Sequence, residues 1–262
     1  MTMITDAPRI ARDLVYATHS GTRMVLDVFQ PSGSGTTRPA IIMIHGGRWK
    51  RLDKLQYQGE ATSLAMSGYV VFLINYRVEG QPSFPALLDN VKSAMRWAAE
   101  NAMTFGADPD RIAMFGGSAG GHLSALSAVL SRVEPGLPKV RVAVSWSGFY
   151  DLIAAYEETA ANPRGAEPRG ALENAFDGTP ATCRDRFIQL SPITHVRADS
   201  PPLFIGISSD EVAPLGQAQR MIARMRELNV PCEIQVIEGD LHNRELGPLV
   251  WTQTLDFLRR YL

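Results

Sequence analysis

The sequence has little that would indicate a metal centre, a disulfide framework or a charged macromolecular partner. Its 262 residues include only two cysteines, Cys183 and Cys232, which lie far apart and do not form a metal-ligand spacing. This usage favours free thiols in a reducing compartment. The 26 basic and 27 acidic residues leave a net charge of −1, so we expect no attraction to nucleic acid or to an anionic membrane. Histidines and carboxylates do not cluster either, and we expect neither a metal nor a cofactor.

Long hydrophobic runs are also missing. The longest, at 40–44 and 70–74, have the length of strands and fall far short of a membrane span. Residues 1–10 contain Asp6, Pro8 and Arg9 and lack the continuous apolar stretch of a secretory signal. We therefore expect a soluble, cytoplasmic protein, and the length suits a single α/β domain over residues 1–262.

Strand-like runs rich in Ile, Val and Phe alternate with helical patterns along the chain. The predicted strands lie at 24–29, 40–45, 69–75, 111–116, 140–146, 203–208 and 233–238. The alternation predicts a mostly parallel central sheet with helices on both faces, entered through an antiparallel pair near the amino terminus. The stretch 148–191 contains no convincing strand. We interpret it as a cap-like insertion, a small lid over the carboxyl edge of the sheet, with short helices near 152–158 and 172–176.

A serine stands between glycines where a predicted strand turns into a helix, in the run Gly116 to Gly120. This Gly-x-Ser-x-Gly pattern is typical of a nucleophile elbow, which holds a serine hydroxyl at the carboxyl end of a sheet. A dinucleotide-binding turn would have glycine where Ser118 stands, and a phosphate-binding P-loop would have a lysine that is absent here. The remaining alternative is a serine that only caps the helix. The rest of the sequence must decide between a nucleophile and a helix cap.

An acid and a histidine follow the serine in the chain order that such hydrolases use. Asp210 comes just after the predicted strand 203–208, and His242 comes just after the last predicted strand. Glu211 adjoins Asp210, and Asp240 shares the short loop of His242. The strand-end position favours Asp210. We therefore predict a triad of Ser118, Asp210 and His242, in which the histidine takes the hydroxyl proton and the aspartate fixes its tautomer.

Backbone amides for an oxyanion hole are expected after the strand 40–45. His45 ends this strand, and the glycines that follow can aim their amides at a substrate, as can the residue after the nucleophile. The predicted donors are Gly46, Gly47 and Ala119. Candidate pocket residues are Arg48, Trp49, Tyr76, Phe149 and Tyr150.

The motifs together resemble those of one known superfamily. They are His45-Gly46-Gly47 with Trp49, the turn Asn75-Tyr76-Arg77, the run from Asp108 to Ile112, the run from Gly117 to His122, Ser191-Pro192, Asp210 with Pro214, and His242. The chain is similar to the α/β-hydrolases, close to the hormone-sensitive-lipase-like and BD-FAE-like carboxylesterases. The resemblance covers the chain from about Leu14 to its carboxyl end and implies the α/β-hydrolase fold and cofactor-free ester hydrolysis through an acyl-enzyme.

Two departures from the family pattern bear on the substrate. Arg48 stands where many relatives continue the glycine run, and we expect no large amino-terminal cap of the kind found in the lipase-like branch. A short early sequence and a modest insertion predict a shallow, open pocket for short acyl groups.

Three functions remain in competition at this point. The first is a serine carboxylesterase acting on small-molecule esters with short-chain or aromatic groups. The second is an arylformamidase, whose family resembles this chain in its His-Gly-Gly-x-Trp loop and Gly-x-Ser-x-Gly-x-His block. The third is a catalytically silent binding protein with the hydrolase fold, which the presence of all three triad residues disfavours. The sequence does not choose between a monomer and a homodimer.

Overall fold

The computed structural model describes residues 7–19, 21–33, 37–50, 53–76, 84–161 and 166–262. The strands are β1 Arg9–His19, β2 Thr22–Gln30, β3 Arg38–Ile44, β4 Val70–Ile74, β5 Ala107–Gly117, β6 Val140–Trp146, β7 Leu203–Ser208 and β8 Cys232–Ile237. The α-helices are α1 Gln58–Met66, α2 Phe84–Asn101, α3 Ala119–Leu130, α4 Leu152–Ala161, α5 Ala166–Phe176, α6 Pro180–Gln189, α7 Leu215–Glu227 and α8 Gly247–Tyr261. The predicted Asn75-Tyr76-Arg77 turn extends past the described residues at Arg77, and so does the insertion at 162–165.

All eight strands form one sheet in the order β1-β2-β4-β3-β5-β6-β7-β8. The pairs β1·β2 and β2·β4 are antiparallel, and every later pair is parallel. The predicted fold class is thereby confirmed. Because parallel strands end at the same edge, the residues that follow β3, β5, β7 and β8 lie along one edge of the sheet.

Each face of the sheet is covered by its own layer of helices. Successive residues of the buried strand β5 point to opposite faces, so Met114 belongs to the apolar cluster that includes α2, α3 and α7, and Phe115 to the cluster that includes α1 and α8. Burial on both sides explains why the central strands are continuous apolar runs rather than alternating ones. Among the helices in the described parts of the chain, none combines the length and apolar character needed to cross a bilayer.

Strand β1 was not predicted from the sequence. Its pairing with β2 shifts register twice, between Ala11 and Leu14 and between Val15 and Ala17, and Asp13 takes a left-handed φ of 54°. Bulges of this kind destroy the two-residue period by which a strand is recognised. As an edge strand β1 also carries charged residues, which further obscure the pattern.

The insertion between β6 and β7 holds three helices, α4, α5 and α6, rather than the two expected. The missed helix, α6, is interrupted at Cys183, whose φ of −143° is not helical. The insertion packs on the body of the protein through Phe176, whose ring stacks on Phe84 of α2 at a centroid distance of 4.9 Å. This contact joins the insertion to α2.

We expect Gly120→Ala to lower the free energy of unfolding by about 3 kcal/mol, at the upper end for overpacking. A Cβ on Gly120 would lie 2.2 Å from the carbonyl oxygen of Ile44 and 2.6 Å from that of His45. Both obstacles are backbone, so α3 and β3 would have to separate. For a chain of this size the melting temperature should fall by roughly 6 to 12 °C.

The matched control is Gly59→Ala in α1. A Cβ there meets nothing within 4 Å, and alanine is the better helix former by about 0.5 to 1 kcal/mol. Denaturant unfolding should show opposite signs for the two variants. A Gly120→Ala protein as stable as the parent would contradict the close approach.

Candidate active site

Ser118 lies in the turn between β5 and α3, at the carboxyl edge of the sheet. Its φ of 56° and ψ of −123° are strained for a residue with a side chain. The amide of Ser118 donates to the carbonyl oxygen of Trp146, at the end of β6, over 2.7 Å. This hydrogen bond holds the strained turn against the neighbouring strand. Ser118 itself is 8% exposed.

His242 follows β8 and reaches across the sheet edge to the serine. Its Nε2 lies 3.0 Å from Oγ of Ser118, within the range for direct proton transfer. The structure thus brings together two residues that are 124 positions apart in the chain, as expected from their places after parallel strands.

The carboxylate that contacts His242 belongs to Glu211, not to Asp210. Oε2 of Glu211 accepts a hydrogen bond from Nδ1 of His242, and Oε1 accepts one from the amide of Ser208 over 3.0 Å. The side chain of Glu211 is completely buried. Asp210 is exposed, and its amide donates to the carbonyl oxygen of Gly239.

The prediction of Asp210 as the partner of His242 is therefore wrong by one position. The turn after β7 directs Asp210 outward and the next residue inward, and the longer glutamate side chain spans the remaining gap. Glutamate serves this role in α/β-hydrolases as well as aspartate does. The other rival, Asp240, is exposed on the loop before His242.

The three predicted oxyanion donors differ in their surroundings. The amide of Gly46 donates to Oε1 of Gln56 over 3.2 Å, so in this structure it is already engaged. Gly47 lines the cleft beside Ser118 with a φ of 116°, a conformation that favours glycine. Ala119 is the first residue of α3, and its amide is one of those that a helix leaves without an internal acceptor. The Gly46 amide would have to leave Gln56 before it could bind an oxyanion.

His45 and Tyr76 hold the loop after β3 from beneath. Nδ1 of His45 lies 2.7 Å from the carbonyl oxygen of Gly46, and the ring stacks on Tyr76 at 4.3 Å. The Tyr76 hydroxyl donates to the carbonyl oxygens of both His45 and Gly46. Tyr76 therefore supports the loop and does not line the cleft, which corrects the sequence prediction.

A cleft of about 140 Å³ opens above the serine. Among the described residues, its lining consists of Gly47, Arg48, Trp49, Gln56, Ser118, Phe149, Pro168, Val212, His242 and Asn243. Of the predicted pocket residues, Arg48, Trp49 and Phe149 are present. Tyr150 is absent from this lining because it is fully buried, where its hydroxyl donates to Oγ of Ser145 over 2.8 Å. A larger open groove of about 700 Å³, between α2 and α6, shares none of these residues.

Gln56 and Asn243 are site residues that the sequence prediction missed. Asn243 directly follows His242 with a φ of 58°, its amide donates to Oγ of Ser147 over 2.8 Å, and its Oδ1 accepts from the Tyr57 hydroxyl. The single turn Lys54–Tyr57 thus holds the oxyanion loop through Gln56 and the histidine loop through Tyr57. Asn243 could have been found from the sequence because it adjoins His242. The role of Gln56 depends on tertiary contacts and could not.

His122, on α3, links the cleft wall to the insertion. Its Nδ1 lies 3.2 Å from the indole Nε1 of Trp49, which can only donate, so Nδ1 accepts. The proton of the neutral ring is then on Nε2, which donates to the carbonyl oxygen of Leu190 over 2.8 Å. A second proton on Nδ1 would remove the hydrogen bond from Trp49.

We expect acid to destabilise the protein through its two buried histidines. Burial lowers the pKa of His45 and of His122 from 6.5 to about 4. Between these pH values the unfolded chain binds protons that the folded protein does not. The stabilisation is therefore complete above pH 6.5 and is lost as the pH falls toward 4, by about 3 kcal/mol for each histidine.

Urea unfolding between pH 7 and 4.5 measures this effect. The slope of the unfolding free energy against pH gives the number of protons taken up on unfolding. In the His122→Gln variant this number should be smaller by about one. An unchanged slope would show that His122 is not held neutral in the folded state.

Comparison with known proteins places this arrangement in a family. The family model described as BD-FAE matches residues 26–225, which include the serine, its acid partner and most of the sheet. The chain belongs to the BD-FAE family. The matched segment ends before His242, so the histidine is assigned by the geometry described above.

Curated relatives of this BD-FAE protein include two from Mycobacterium tuberculosis. It is 32% identical over 206 residues to the probable carboxylic ester hydrolase LipM, an alignment covering 74% of this chain and 46% of LipM. It is 32% identical over 221 residues to the esterase LipC, covering 78% of this chain and 53% of LipC. The chain thus spans about half the length of these relatives.

Solved structures share its fold over nearly the whole chain. A truncated carbohydrate esterase from gut microbiota superposes with a TM-score of 0.79 at 23% identity, covering 97% of this chain and 96% of that one. Esterase Est2 from Thermogutta terrifontis superposes with a TM-score of 0.77 at 24% identity, covering 98% and 91%. The BD-FAE protein therefore has the α/β-hydrolase fold.

Proposed function

We propose that the protein is a carboxylic ester hydrolase with Ser118 as nucleophile, His242 as general base and Glu211 as the acid that orients the histidine. The observation that carries the proposal is the 3.0 Å contact between Nε2 of His242 and Oγ of Ser118 at a strained turn. A serine that served only as a helix cap would need neither the strain nor the histidine.

Acylation follows from this geometry. His242 Nε2 accepts the proton of Ser118 Oγ as the oxygen attacks the ester carbonyl carbon, and the carbonyl electrons move onto oxygen. The amides of Gly47 and Ala119 stabilise that oxyanion, and each such donor typically contributes about 3 to 4 kcal/mol. The intermediate then expels the alcohol, which takes the proton from His242 and leaves an acyl-serine.

Deacylation repeats the same steps with water. His242 removes a proton from water as it attacks the acyl carbon, and then returns the proton to Ser118 as the acid leaves. Throughout the cycle Glu211 accepts a hydrogen bond from Nδ1 of His242, which keeps the ring proton on Nδ1 and leaves Nε2 available as the base.

Ester hydrolysis is favoured over the other candidates by the curated relatives, which are named as ester hydrolases. The contacts from Ser118 through His242 to Glu211 are in place, which argues against a silent binding protein. The volume of about 140 Å³ supports a preference for short acyl groups.

Hydrolysis of p-nitrophenyl esters from acetate to decanoate tests the proposal. We expect turnover that is highest for the short esters and falls steeply for the long ones, with none from heat-unfolded protein. No turnover of any ester would contradict the proposed function. Equal rates across the series would overturn the short-chain preference and leave the activity standing.

A further inference from the structure

Arg48 places a positive charge at the rim of the cleft. It is the one lining residue with a permanent charge in the part of the chain that the structure describes. Its backbone has a φ of 55°, and the neighbouring Trp49 has a φ of 59°. Two successive residues with side chains in the left-handed region are costly, so strong local constraints must hold this loop.

The partner of Arg48 is a carboxylate from the insertion. Nη1 of Arg48 donates to Oε1 of Glu167, which lies in α5 next to the lining residue Pro168. The guanidinium therefore extends along the rim from the oxyanion loop to the insertion. The two side chains are 25% and 63% exposed, and an ion pair so accessible to water is weak and readily exchanged.

We propose that Arg48 is a specificity-determining residue that binds a carboxylate carried by the substrate, in exchange for Glu167. The substrate class is an ester with a free carboxylate a few bonds from the scissile bond, such as a half-ester of a dicarboxylic acid. The inference rests on the proposed ester hydrolysis at Ser118.

The exchange conserves the chemistry at Arg48. A guanidinium presents five N–H donors in a planar fork, which fits the two oxygens of a carboxylate. In the unliganded protein Glu167 supplies such a carboxylate. When the substrate supplies one instead, the Glu167 carboxylate, whose side chain is 63% exposed, is displaced from Arg48. A neutral ester leaves the ion pair in place and therefore gains no binding energy from Arg48.

Paired substrates test this assignment. The monomethyl esters of succinic, glutaric and adipic acid are each compared with the methyl ester of the corresponding monoamide, which has the same length without the charge. Proton release at constant pH gives kcat/KM for every ester. The readout is the ratio between the charged and the neutral ester, because changes in the shared chemistry cancel.

We expect the ratio for the preferred chain length to be about ten in the parent and to fall to about one in Arg48→Gln. Arg48→Lys should keep part of the preference, since it retains the charge but loses the fork. Glu167→Gln removes the competing carboxylate and should raise the ratio, mainly through a lower KM for the charged ester. Arg260→Gln breaks an exposed ion pair with Glu233 elsewhere on the surface and should leave the ratio unchanged.

A parent ratio of one or less, or a ratio that Arg48→Gln does not alter, would overturn the assignment and leave the ion pair as a fastening of the insertion. Binding separates this failure from failure of the proposed function. Calorimetry with monomethyl glutarate and Ser118→Ala protein requires no turnover. Binding that weakens about tenfold when Arg48→Gln is added supports the carboxylate site even if no ester is hydrolysed, and equal binding contradicts it.

Discussion

Ser118→Ala is expected to lower kcat for a short p-nitrophenyl ester by about 10⁶-fold, the loss found when the nucleophile of a comparable triad is removed. The variant keeps the backbone of the turn and the amides of Gly47 and Ala119. It loses only the oxygen that forms the covalent bond. Initial rates at saturating substrate, with the protein shown to be folded by its melting temperature, measure the effect.

Ser124→Ala is the matched control. Like Ser118, Ser124 is buried, but it lies within α3 and does not line the cleft, and its Oγ has no hydrogen-bond partner among the described residues. We expect its kcat to stay within about twofold of the parent, because the substitution removes no contact to the reacting groups. A Ser118→Ala protein that retains the parent rate would remove Ser118 from the mechanism.

Glu211→Gln is expected to lower kcat by about 10⁴-fold, whereas Asp210→Asn should change it less than threefold. The glutamine amide can donate to Nδ1 of His242, which would put the histidine proton on Nε2 and leave no base facing Ser118. Loss of the orienting carboxylate in a comparable triad costs about this much. Asp210 is exposed, and Nδ1 of His242 already donates a hydrogen bond to Glu211.

The two variants form a matched pair, since each replaces one acid by its amide at adjacent positions. Rates of p-nitrophenyl butyrate hydrolysis near neutral pH compare them directly. The opposite order, with Asp210→Asn inactive and Glu211→Gln active, would contradict the assignment of Glu211 and restore the sequence prediction.

The sequence was most informative where local geometry dictates residue type. Glycines flank Ser118 because the turn brings α3 against the backbone of β3, as the 2.2 Å approach of an added Cβ on Gly120 shows. The apolar runs of β3 to β7 reflect burial on both faces of the sheet. These features depend on short stretches of sequence, so the fold class and the positions of Ser118 and His242 could be predicted.

Side-chain direction in a turn was not predictable in the same way. Asp210 and Glu211 are adjacent carboxylates after one strand, and only the path of the backbone decides which points inward. Tyr76 and Tyr150 were expected in the pocket because they are aromatic, but Tyr76 supports the loop after β3 and Tyr150 is buried with its hydroxyl bonded to Ser145 of β6. The contact of Arg48 with Glu167 joins residues 119 positions apart, and no local pattern marks it.

The most direct test of the account is covalent labelling with diethyl p-nitrophenyl phosphate, followed by mass spectrometry of the intact protein and of its peptides. With Ser118 as the nucleophile, we expect one diethylphosphoryl group per chain, located on Ser118, and none on Ser118→Ala protein. A label on another residue, or equal labelling of the Ser118→Ala variant, would contradict it.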